Sequence, residues 1–154
     1  MEGVCLNPQD LIKEIKAKGF LSHMFCQVDS KLIEKGDWEI GYYQSDIDKI
    51  VTYVNGHIKN ADDVFKKPGD KVEELNLDNV KISLDDAKKT FLENVPVLFP
   101  KELLGDGFII LQTIDEKTDW NFTLISKSLK FLNIKINATS GEVDSHQAVE
   151  LMQK

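Results

Sequence analysis

Trp38 and Trp120 are the only tryptophans in this 154-residue chain, and each follows an aspartate and opens the same kind of segment. DWEIGYYQSDIDKIVTYVN runs from Asp37 to Asn55, and DWNFTLISKSLKFLNIKIN runs from Asp119 to Asn137. Laid over one another without a gap, they match at the Asp-Trp pair and the terminal Asn. Ile40/Phe122, Tyr42/Leu124, Tyr43/Ile125, Ile47/Leu129, Ile50/Leu132 and Val54/Ile136 pair apolar with apolar. Skipping three residues brings Gly56-His57-Ile58 onto Gly141-Glu142-Val143 and Val64 onto Val149. The match predicts a tandem of two copies of one small unit.

The local signals fill in each copy. Asn7 suits a helix N-cap and Pro8 the first helical position. Leu11, Ile12 and Ile15 then make an apolar face, and Gly19 offers a left-handed stop, so a helix is expected over 8–18. Strands are expected near 22–28, 38–44 and 49–55, the last two joined by a hairpin loop at Ser45-Asp46-Ile47-Asp48. Asn55-Gly56 reads as a turn, and Ala61 to Lys67 as a single helical turn stopped by Pro68-Gly69.

In the second copy Ser83 and Asp86 form a capping-box-like pair. Leu84, Ala87, Phe91, Leu92 and Val95 follow at helical spacing, with Pro96 as the stop. Strands are expected at 107–114, 119–127 and 130–137. In the last of these, Leu132, Ile134 and Ile136 alternate with Asn133, Lys135 and Asn137. Ala148, Leu151 and Met152 suggest a short closing helix. The fold class expected is α+β: two similar units, each a helix packed across a three- or four-stranded antiparallel sheet, sharing apolar surface. Their bounds are 1–67 and 83–154, with a connector over 68–82.

The second copy also resembles a known family. Ile82-Ser83-Leu84-Asp85-Asp86-Ala87, and later Ile134-Lys135-Ile136-Asn137-Ala138-Thr139-Ser140-Gly141-Glu142-Val143, resemble the PepSY domain over residues 82–145. Asn137 stands where that family usually has Asp. The resemblance implies a cystatin-like α+β unit that binds or inhibits a partner without catalysis, in some members a peptidase, and a family mostly found outside the cytoplasm.

Composition narrows the function. The net charge is −7, and all 19 basic residues are lysine. Nucleic-acid binding is not expected, because phosphate neutralisation needs a basic surface and the guanidinium fork supplies the strongest base readout. Cys5 and Cys26 are too few and too far apart for a disulfide framework. The opening residues MEGVCLNPQD lack the pattern of an export signal, and no apolar run is long enough to span a membrane. The expectation is therefore a cytoplasmic, non-membrane protein, with the sequons at Asn121 and Asn137 read as accidental.

The usual catalytic signatures for serine hydrolases, P-loop nucleotides, zinc peptidases and dinucleotides do not occur. His23-x-x-Cys26 has metal-like spacing, but residues three apart on a strand point to opposite faces. Asp85-Asp86 fits a helix dipole, Asp46/Asp48 a hairpin, and Asp62-Asp63 a helix start. No residue is therefore assigned a catalytic or metal role, no cofactor is expected, and binding residues stay unassigned. The tryptophans are expected to pack under equivalent helices; were they exposed, a groove between the two sheets would be the site. The leading expectation is a non-enzymatic binding or regulatory protein with a protein or peptide partner. The alternative is a small-ligand protein with a pocket between sheet and helix, and an enzyme ranks third.

Overall fold

A computed structural model describes residues 7–63 and 71–151. Its central feature is one continuous eight-stranded antiparallel sheet. The strands are β1 (Phe20–Val28), β2 (Glu39–Gln44), β3 (Lys49–Val54), β4 (His57–Asp63), β5 (Leu104–Ile114), β6 (Lys117–Ser126), β7 (Lys130–Asn137) and β8 (Val143–Glu150). Their order is β4-β3-β2-β1-β5-β6-β7-β8, so each group of four is a meander and β1 meets β5 in the middle. That seam runs from His23 opposite Gln112 to Val28 opposite Gly107.

This overturns the expected fold class and the internal-repeat picture of two helix-plus-sheet units. The halves join edge to edge through backbone hydrogen bonds, so there are not two sheets burying each other's faces. Their helices are not equivalent either. α2 spans Leu84–Leu98, whereas α1 covers only Pro8–Ile12. After Ile12 a turn at 13–14 closes with the Ile15 N–H on the Ile12 carbonyl, and the helix does not resume; half-buried Ile15 and Ala17 then alternate with exposed residues against the core. The two tryptophan segments occupy β2–β3 and β6–β7, the inner strands on either side of the seam.

One face of the sheet is covered. Met24, Cys26, Ile40, Val51, Tyr53, Ile109, Leu111, Trp120, Phe122, Leu124, Leu132, Ile134 and Ile136 point there and are buried. Alternation along each strand places them together, and register lines them up: Leu111 lies opposite Trp120, and Trp120 opposite Ile136. Over β6 and β7 the cover is α2, whose buried Leu84, Ala87, Phe91 and Val95 form one stripe. Phe91 stacks on Phe122 with ring centres 4.9 Å apart. The segment before α2 packs in through Leu75, whose backbone N–H bonds to the Leu21 carbonyl at 2.8 Å. It includes one 3₁₀ turn at Leu77–Asn79.

The predicted caps form: the Asn7 side chain accepts from Gln9, and Ser83 Oγ accepts from the Asp86 N–H at 3.1 Å. Pro96 does not end α2, which continues to Leu98. The helical turn expected from Ala61 is replaced over its first residues by β4, and residues 64–70 lie outside the described part. The closing helix is also absent from the described residues. Ala148 sits in β8, an edge strand exposed along most of its length.

Candidate functional site

The opposite face of the sheet has no described element across it. Lateral register arranges its side chains in rows. One row is polar and runs Thr52, Gly41, His23, Gln112, Asp119, Asn137 across six strands. Beside it run Phe25, Ile110, Asn121, Lys135 and Ser145, and beyond that Phe108, Thr123, Asn133 and Gln147. Phe25 and Phe108 stand 5.5 Å apart at the seam. At the outer corner Ile125, Phe131 and Val149 are neighbours, with 37%, 37% and 43% of their surface exposed. The open face is thus a polar band between two apolar patches.

Asn133 pins the band. Its amide nitrogen lies 2.6 Å from Asn121 Oδ1, 2.8 Å from Thr123 Oγ1 and 3.1 Å from the Phe122 carbonyl. His23 lies flat over Gly41, where a Cβ would sit 2.2 Å from its ring, so only glycine admits this arrangement. Burial pushes the His23 imidazole below its ordinary pKa, against the opposing pull of Glu39, which favours the neutral ring.

The most perturbed group is Asp119, at the outer end of the polar row. It is 8% exposed, and its Oδ1 has no hydrogen-bond partner. Asp144 reaches it from β8. The register of β7 and β8 slips between Lys135 and Ile136, and this bulge turns Asp144 back across β7. Asn137 Nδ2 donates to Asp144 Oδ2 at 3.1 Å, while Asn137 Oδ1 caps the following turn by accepting from Thr139 and Ser140. Burial first, and then the Asp144 hydrogen bond and charge, push Asp119 up from 3.8 to about 7. The same hydrogen bond holds Asp144 below its ordinary value. Two carboxyls this close share a proton, because both cannot ionise cheaply. Asp119 also lines a small depression, with room for about one water-sized group, together with Gln112, Ile114, Asn121 and Lys135.

The residues singled out from sequence fall elsewhere. His23 is on the open face and Cys26 on the covered one, so they do not share a metal. Burial raises the Cys26 thiol to about 11, leaving it unreactive; Cys5 lies outside the described residues. Asp85 and Asp86 occupy the first turn of α2, and Asp48 takes a hydrogen bond from the Tyr43 hydroxyl. Asp62 pairs in β4 through its backbone, not in a helix start. Trp120 is fully buried and donates to the Ile82 carbonyl at 3.0 Å, next to the start of α2. Trp38 is 8% exposed, in a groove beside Leu11 and Glu14. With both tryptophans inside and one sheet among the described residues, the expected groove between two sheets is not found there. A second groove runs between Ile12, Phe20, Tyr42 and Leu77.

Sequence reasoning noticed Asp119 only as half of an Asp-Trp pair, and did not single out Asp144. An acidic residue directly before a tryptophan, in a strand that alternates from Trp120 onward, was the available signal for Asp119. Among the described residues no group of three or more His, Cys, Asp or Glu could hold a metal, and no helix is long and apolar enough to cross a membrane.

No family model matches the chain, and no curated protein matches it. Among solved structures, a "putative lipoprotein" from Clostridium difficile 630 is similar, with a TM-score of 0.53 over 84% of this chain and 82% of that one. Identity between them is 9%, so the likeness is one of fold alone.

Proposed function

We propose that this chain is a non-catalytic binding or regulatory protein that meets a protein or peptide partner through the open face of its sheet. The observation that carries this reading is the pairing of apolar patches at the seam and the outer corner with a hydrogen-bonding band between them. Contiguous exposed apolar side chains bordered by polar ones are what recognition surfaces offer. Aromatic residues such as Phe25, Phe108 and Phe131 supply most contact area per ordered side chain. A peptidase is the first partner class to try, because the PepSY resemblance over 82–145 implies it.

The test is capture from the protein's own cell extract with wild type and an Ile125→Asp/Phe131→Asp variant as baits. A protein retained by the first and lost by the second supports the proposal. Nothing above background, or the same set on both, refutes it.

The two grooves flanking α1 favour a second reading, a small ligand held between helix and sheet. Thermal-shift screening addresses it, since a ligand at 100 times its dissociation constant adds about 2.7 kcal/mol. The compartment is part of the proposal too. Two isolated cysteines suit the cytoplasm, whereas the fold neighbour's lipoprotein description favours the outside, and cell fractionation decides between them.

A further inference from the structure

We propose that the Asp119–Asp144 pair is a receptor for a primary ammonium group, such as a lysine side chain on the partner. This rests on the reading that the open face receives that partner, and it names the chemistry recognised there. Asp119 is more than nine-tenths buried, its Oδ1 has no hydrogen-bond partner, and its side chain lines the depression shared with Gln112 and Asn121. A buried carboxylate oxygen without a donor is costly, and a charged N–H donor satisfies it best. The bulge in β8 and the Asn137 amide fix Asp144 beside it, so the second carboxyl is aimed by structure and not by chance.

The size of the depression suits a compact ammonium head better than a planar guanidinium. An ammonium seated there would donate to Asp119 and the Gln112 amide oxygen, with the Asp144 charge held against Asp119 to add to the attraction. A calcium ion fits poorly, because it wants six to eight oxygens and Asn137 turns its N–H₂ toward Asp144. The charged and titratable groups facing the pair are Lys117 on β6, Lys135 on β7 and, on the far side of Gln112, His23 on β1. Both lysines lower the Asp119 pKa through space, and among the described residues neither is joined to either carboxyl by an ion pair, so the acceptor stays open. The net charge of −7 draws cations in.

An incoming ammonium takes the place of the shared proton. With Asp119 titrating at about 7, its ionised share grows roughly tenfold from pH 6 to pH 8. Binding therefore tightens about tenfold over that range.

Carbon-detected NMR of the Asp119 carboxyl and the Gln112 and Asn121 side-chain amides reads this out in the full chain. The probes are N-acetyl-lysine methylamide, its ε-trimethyl counterpart (the same charge without N–H donors) and calcium chloride, at matched ionic strength. Saturable shifts with the lysine probe alone, tighter at pH 8 than at pH 6, are expected. Asp119→Asn and Asp144→Asn lose them, and Asp46→Asn in the distant hairpin keeps them. Should Asp119→Asn fail to fold, Asp144→Asn and Lys135→Met carry the test, the latter tightening binding by removing a competing cation. No saturable shift (an ordered water only), an equal response to the trimethyl probe, or a preference for calcium overturns the proposal. So does a silent wild type with a responsive Lys135→Met, which would make Lys135 the cation. Lysine binding without a captured partner removes the partner reading and keeps the site; a captured partner without lysine binding does the reverse.

Discussion

Replacing Phe91 by alanine tests the idea that a single helix holds the cover on half the sheet. Phe91 is fully buried in the stripe of α2 and stacks on Phe122, with ring centres 4.9 Å apart and planes 19° from parallel. Truncating a buried phenylalanine costs about 3–5 kcal/mol, since transfer energy is lost and a cavity remains. The aromatic pair adds about 0.5–1.5 kcal/mol beyond its area. Because α2 is the only helix packed on β6 and β7 among the described residues, no second helix closes in to fill the space, and the upper part of the range is expected, about 5 kcal/mol. That is a large share of the ~5–15 kcal/mol typical of a domain. Urea unfolding followed by tryptophan fluorescence is a natural assay, as Trp120 lies under the start of the same helix. Leu92→Ala, on the same helix but 45% exposed, is the control and should cost under about 1 kcal/mol. A Phe91→Ala loss below about 1.5 kcal/mol, or one no larger than that of Leu92→Ala, would refute the reasoning.

Two further outcomes follow from the open face and the strand packing. Asp119 binds its proton more tightly folded than unfolded, so its contribution is fully present below about pH 4 and is lost as pH rises through about 7. Thermal melts of wild type should fall across that window relative to Asp119→Asn, with the gap partly offset by the depressed Asp144; parallel profiles would count against the carboxyl pair. At Gly107 a Cβ would lie 2.0 Å from the Thr123 carbonyl oxygen and 2.6 Å from the Leu124 Cα, both backbone atoms that cannot step aside. Gly107→Ala should cost about 1–3 kcal/mol in chemical denaturation, and a neutral result would mean β5 and β6 are further apart than described.

Local chemistry was legible where it is local. The Ser83 cap, the alternation of Leu132, Ile134 and Ile136, and the turn after Gln44 each depend on a few neighbouring residues, and all formed. β8 was misread because an edge strand with an exposed surface has no alternation to show, and Ala148 and Leu151 then looked helical. α1 was overextended because Ile15 fits a helical stripe and an extended half-buried segment equally well. How the two meanders join was not written in either of them, since the β1–β5 seam uses backbone groups that any sequence supplies. The carboxyl pair was hidden for a related reason: Asp119 and Asp144 meet only after three strands align and one of them slips register.

Seven strand contacts build this sheet, and six of them tie residues that are close along the chain. Only the pairing of β1 with β5 must bring distant segments together, after everything from Glu39 to Leu98 has been made in between. Among the strand pairings, loop-closure entropy is thus concentrated in a single event, and that pairing is expected to be the slowest of the seven to form. A cut between β4 and α2, ahead of Leu75, would leave two pieces that rejoin along this seam and through the return of Leu75 to Leu21, which makes the chain a natural subject for fragment complementation.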